Sequence, residues 1–283
     1  MGQSVSQRVE RARTASGEEL RALVHEDSPE VLAALLENPA LREALLQILL
    51  ERKELPADIV QEIARQKNWM RSYPVKLRVA RHPHTPRLTA LPLLKQLYLF
   101  DLVRLSLTPG VPGELRRVAD DLILARLPQL PLGEKLTLAR RGSGRVAGAL
   151  LAEGHPQTLP LCLDNGFMNE AQVLKVLGRS TLAEGVVEGI ARHGKWSYLY
   201  NVRMALVRHP LTPLARVLAF LPDLTLGDLT ELSKASTLSE NLRKYIRGEI
   251  SARRARSKKA ALRAPAKTTL HEPERHREHD GKS

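Results

Sequence analysis

Between Pro56 and Gln66 the chain reads PADIVQEIARQ, with Ile59, Val60, Ile63 and Ala64 recurring at helical spacing while Asp58, Gln61, Glu62 and Arg65 fall on the other side. Such spacing marks one apolar face of a short amphipathic helix. In VRMALVRHP the residue before a proline is driven out of the α region, so His209 should close that helix ahead of Pro210. Thr212 is then placed to accept free backbone N–H groups as an N-cap, and Pro213 fits a first turn, where a missing donor is harmless. His82, Pro83, Thr85 and Pro86 repeat this stop and restart, so the pentapeptide is expected to be a corner between helices. His82 and His209 can bond the last carbonyls of the helices they end. SPEVLAALLENPALREALLQILLERKELPADIV reads as two short helices broken at Asn38-Pro39, and TPGVP (108–112) and RRGSG (140–144) read as loops.

The corners belong to an internal repeat. Residues 63–123 lie on 190–250 without a gap at an offset of 127, with 22 of 61 positions identical. The matches include both tryptophans, Trp69 and Trp196, and the whole His-Pro-x-Thr-Pro signature, which leucine richness alone would not align. LARLPQLPLGEK from Leu124 also resembles LAFLPDLTLGDL from Leu218, and a third of 127, about 42, lies within the roughly 40 to 47 residues of helical repeat units.

A helix followed by Arg-His-Pro-x-Thr-Pro, as in LRVARHPHTP and MALVRHPLTP, resembles the bacterial leucine-rich repeat variant motif and, more broadly, HEAT and armadillo repeats. The resemblance implies an all-α fold, an α-solenoid of stacked short helices in which each unit contacts its neighbours. It spans residues 25–250 in diluted form and is strong in the two matching blocks. The iron-sulfur cluster of the better-known variant-repeat architecture does not carry over, because Cys162 is the single cysteine. The expected organisation is an N-terminal segment 1–24, disordered in part or a helical cap, a solenoid domain 25–250, and a disordered basic tail 251–283.

Composition adds the charge. The chain has 44 basic and 31 acidic residues for a formal net charge of +13, with aromatics at only 4%. Residues 251–283 hold ten basic and four acidic residues, so nearly half of the excess is in the tail. No segment approaches the roughly 18 apolar residues of a membrane span, and the N-terminus has no signal-peptide core, which points to a reducing, cytoplasmic setting. Met1-Gly2-Gln3-Ser4-Val5-Ser6 fits the loose myristoylation pattern, with Gly2 as acceptor.

No Walker-type loop, GxSxG elbow or HExxH is present, and RRGSGR lacks the ending of a phosphate loop, so neither an enzyme nor a cofactor is expected. Cys162 lies among apolar residues and reads as a small buried hydrophobe. The tail histidines His271, His276 and His279 have no supporting shell for a metal. What remains is a scaffold whose curved surface binds another protein, with Arg65, Trp69, Arg192, Trp196, Arg203 and Arg208 as candidate contacts. For the tryptophans, filling a gap between helices is the competing role. The alternative is nucleic-acid binding, in the manner of HEAT-like DNA glycosylases, by a basic groove and by the tail residues Arg253, Arg254, Arg256, Lys258 and Lys259. Arginines gathered on one face would favour nucleic acid; arginines interleaved with Glu62, Glu114, Glu188 and Glu231 would favour protein.

Overall fold

The computed structural model describes residues 4–263, and these residues are all-α, without a strand. The helices are α1 (Val5–Thr14), α2 (Gly17–Leu23), α3 (Pro29–Leu36), α4 (Glu43–Leu49), α5 (Ala57–Arg65), α6 (Tyr73–Arg81), α7 (Arg87–Lys95), α8 (Leu99–Leu107) and α9 (Gly113–Arg126). They continue as α10 (Leu132–Arg141), α11 (Gly144–Glu153), α12 (Leu159–Leu163), α13 (Glu170–Leu177), α14 (Glu184–Arg192), α15 (Tyr200–Arg208), α16 (Leu214–Phe220), α17 (Leu226–Leu232) and α18 (Glu240–Arg263). No described helix is long and apolar enough to cross a membrane. By contact, the chain divides into two units, Met1–Pro213 and Leu214–Ser283.

The offset of 127 governs more than the two blocks that revealed it. Val5, Gly17, Glu43, Ala57, Tyr73, Arg87, Leu99 and Gly113 begin helices, and the residues 127 further on, Leu132, Gly144, Glu170, Glu184, Tyr200, Leu214, Leu226 and Glu240, begin helices too. Among the described residues, eight of nine helix starts therefore recur at this offset, as a first and a second copy of one helix order. The N-terminal segment is part of this scheme, since α1 and α2 correspond to α10 and α11. Odd-numbered helices of the first copy start 24, 28, 30 and 26 residues apart. The structural step is thus a pair of short helices, shorter than a third of 127. LPQ at Leu127–Gln129 and LPD at Leu221–Asp223 both form short 3-10 turns, so the extra sequence match reflects a shared local turn.

Side chains repeat their bonds at the same offset. The Asn38 amide donates to the carbonyls of Ala12 (2.7 Å) and Ala15 (2.9 Å) and its oxygen accepts from Ala40 N–H. Asn165 does the same with Ala139, Gly142 and Phe167. Each asparagine closes the C-terminal end of a helix two places earlier, where carbonyls lack helical partners. Arg126 donates to Leu97 O at 3.1 Å and Arg253 to Leu224 O at 2.6 Å.

The His-Pro-x-Thr-Pro segments are corners, but their hydroxyls point backward. Thr85 donates to Val79 O, and Thr212 to Leu206 O at 2.6 Å, sealing the helix just ended. The N-cap of α7 is Pro86, one residue beyond the expected threonine. His82 reaches further, with Nε2 2.8 Å from Arg52 O, while Nδ1 accepts from His84 N–H. That pairing requires the neutral Nε2–H tautomer, and burial holds the His82 pKa below its ordinary value.

Alternate helices pack together. In the first unit α1 contacts α3 and α3 contacts α5; α7, α9, α11, α13 and α15 follow one another; α4 contacts α6; and α10, α12 and α14 form a further run. Equivalent helices keep equivalent partners: the pairs α1–α3 and α3–α5 recur as α10–α12 and α12–α14, α4–α6 as α13–α15, and α8–α9 as α17–α18. The leucines, isoleucines and valines facing these contacts make the core, including Leu32, Leu35, Leu46, Leu94, Leu102 and Ile123.

Past Ile250, where the tail was expected to begin, the chain is still helical: α18 continues to Arg263, the last described residue, because no proline or glycine lies between Gly248 and Arg263, and alanine, arginine, lysine and leucine are strong helix formers. The rest of the expected tail and its histidines lie outside the described residues, as does Gly2.

Candidate protein-interaction surface

The charged candidates are largely committed to partners within the chain. Arg65 pairs with Glu62 at 3.6 Å and Arg192 with Glu188 at 2.5 Å, each along its own helix. Arg87 reaches Glu114 at 2.9 Å. Arg203 donates to Ser197 O at 2.5 Å and lies over the Tyr198 ring, and Arg208 is exposed at the end of α15. Of the basic C-terminal set, Arg253 is turned inward onto the carbonyls of Leu221, Pro222 and Leu224, and it shares Glu249 with Arg256. Arg254, Lys258 and Lys259 are exposed.

The tryptophans part company. Trp196 is 1% exposed and its indole N–H donates to Leu163 O at 2.9 Å, so it fills a gap between helices. Trp69 is half-buried in the 3-10 turn Trp69–Arg71. The two lie beside α5 and α14, which belong to different packing runs, so the structure does not gather them into one stacking surface.

A different set of aromatics is both exposed and held in place. Ser72 caps α6, accepting from Val75 N–H, and donates its hydroxyl to Glu43 at 2.7 Å. This fixes the start of α6, where Tyr73 sits. The Tyr73 hydroxyl donates to the Asp101 carboxylate at 2.6 Å and accepts from Tyr98 N–H at 3.0 Å. The Tyr73 and Tyr98 rings stack with centroids 4.4 Å apart. Burial, and then the bond to the Asp101 carboxylate, pushes the Tyr73 phenol up to about 12, so it stays a neutral donor. Tyr98 is 68% exposed and Phe100 40%, which leaves two aromatic side chains facing solvent on a locked base.

No protein-family model matches the chain, and neither does a curated protein or a solved structure. The chain's second copy then serves as the reference. Leu97-Tyr98-Leu99-Phe100-Asp101-Leu102 corresponds to Leu224-Thr225-Leu226-Gly227-Asp228-Leu229. The two leucines, the aspartate and the following leucine recur; the two exposed aromatics do not. Thr225 is the N-cap of α17 and accepts from Asp228 N–H at 3.1 Å, whereas Tyr98 occupies the N-cap of α8 with no side-chain cap. A lost threonine cap costs about 0.5–2 kcal/mol. The fold is thus built with either residue, and the first copy carries the one that caps less well and exposes more apolar area.

Sequence reasoning passed over Tyr98 and Phe100 because it looked for positions the copies share. The usable signal was the reverse: two of the chain's few aromatics at positions where the aligned copy has threonine and glycine.

Proposed function

We propose that this protein is a non-enzymatic helical-repeat scaffold, an α-solenoid in the manner of HEAT, armadillo and leucine-rich-repeat-variant proteins, that binds a partner protein at the Tyr73–Tyr98–Phe100 surface. The carrying observation is the exposed aromatic pair at a helix start whose counterpart in the same chain bears an ordinary capping threonine. Exposed aromatics on a rigid base are the residue type that dominates interface energetics, since they bury large area at little loss of side-chain freedom. The alternation of packing partners supports the solenoid reading, because each helix pair finds its burial on the pairs beside it. Arginines interleaved with Glu62, Glu114 and Glu188 support a protein partner over a polyanion on the body.

The test begins with a photo-crosslinking phenylalanine analogue at position 98 of the full chain, followed by purification of the captured protein and titration against the wild-type chain. Tyr98→Thr should weaken that binding by about 30-fold or more, the equivalent of a hot-spot loss of about 2 kcal/mol. Equal affinity for wild type and variant would remove this surface from the interface.

A further inference from the structure

The first copy ends its last helix, α9, at Arg126, whose guanidinium fastens it to Leu97 O, and Leu127-Pro128-Gln129 then turns the chain away. In the second copy Arg253 makes the corresponding bond to Leu224 O, and position 255 is alanine where the first copy has Pro128, so α18 runs on to Arg263. The part of this helix that the fold uses ends at the Arg253 staple. Leu242, Ile246 and Ile250 are its buried stripe, and none of the residues 254–259 is buried.

The continuation has its own chemistry. Residues 254–263, RARSKKAALR, contain five cations and no acid. Arg254, Lys258 and Lys259 are exposed, and Arg256 leans back to Glu249 at 3.2 Å. At about 100° per residue, Arg254 and Lys258 share one side of the helix and Arg256 and Lys259 lie on the opposite side. Like charges at close helical spacing oppose the helix, so the extension gains from an anionic partner. Interfacial helices carry their cations on one face and a large apolar face on the other; here alanine and serine separate two cationic rows. Two rows on opposite sides suit a groove with phosphates on both walls. The major groove of B-form DNA, about 12 Å wide, admits a helix of about 10–12 Å, whereas that of A-form RNA is too narrow.

We propose that the C-terminal extension of α18 is a binding arm for duplex DNA, with Arg254, Lys258 and Lys259 contacting backbone phosphates and using none of the residues of the aromatic surface. Phosphate contacts alone carry no sequence information, so binding is expected to be sequence-independent.

The test is fluorescence anisotropy of a labelled mixed-sequence DNA duplex with the full chain, titrated at salt concentrations from about 50 to 200 mM. The wild type should bind with log K falling linearly in log salt. R254A/K258A/K259A, with exposed residues replaced by a good helix former, should unfold in urea as the wild type does while its slope becomes shallower by about 0.9 per lost contact, near 3 in total. Matching duplex RNA and phosphatidylserine vesicles should bind less tightly than the DNA. Absence of DNA binding at the lowest salt, an unchanged slope in the variant, or equal or tighter binding of the RNA or vesicles would each overturn the proposal. None of these results depends on the Tyr98 partner.

Discussion

Replacing Tyr98 by the residue of the second copy separates folding from binding. Tyr98→Thr installs at the start of α8 the side chain that caps α17, worth about 0.5–2 kcal/mol. It removes the stack on Tyr73, with rings 4.4 Å apart, and such a pair is worth about 0.5–1.5 kcal/mol beyond area. The backbone N–H of residue 98 keeps its bond to the Tyr73 hydroxyl, and the lost ring was mostly in solvent. The two terms nearly cancel, so the stability of the variant should stay within about 1 kcal/mol of wild type. Urea unfolding followed by far-UV circular dichroism reads this directly, at unchanged m-value. A loss above about 2 kcal/mol would mean that Tyr98 is a structural element, as expected of a large-to-small change in a packed core, and the argument from the second copy would fail.

Further predictions probe other bonds. Tyr73→Phe removes a donor to a carboxylate and should destabilise by about 1.5–3 kcal/mol in urea unfolding at neutral pH. Because the folded phenol is raised above its ordinary 10 to about 12, its stabilisation is full below pH 10 and is lost as pH climbs toward 12; the gap between wild type and Tyr73→Phe should close over that window, and a constant gap would contradict the assignment. Asn38→Ala and Asn165→Ala each delete three hydrogen bonds of a buried amide and should each cost about 2–4 kcal/mol, with neither variant spared. Cys162 is fully buried with its thiol pushed up to about 12, so an aromatic disulfide reagent should label it only on unfolding; rapid labelling of the native chain would contradict its burial. His82 is depressed by burial, so its contribution is present above pH 6.5 and falls away as the pH drops through the lower folded value; His82→Gln should flatten the acid side of the stability profile.

The helical class and the corners were legible because prolines and apolar spacing act locally, within a turn or two. Pro83 and Pro210 end helices wherever the chain goes afterwards, and Asn38-Pro39 falls between α3 and α4 as its composition demands. What sequence left hidden depends on residues about 25 to 30 positions apart. Asn38 and Asn165 look like ordinary turn residues until the carbonyls of Ala12 and Ala139 are seen beneath them. Arg253 reads as one of a run of tail cations, yet its guanidinium is bound to three backbone carbonyls. Thr85 and Thr212 carry a capping residue's composition but donate backward, a choice set by which end of the corner has unpaired carbonyls. The aromatic surface was missed for another reason: it is a departure between copies, and a search for likeness discards departures.

Because the helix pairings recur at the offset of 127, a side chain at a packed position meets equivalent surroundings in both copies, while a side chain facing solvent answers to no such constraint. One half of the chain is thus an internal control for the other. Variation at matching packed positions should give parallel phenotypes, and variation at matching exposed positions, such as 98 and 225, unrelated ones.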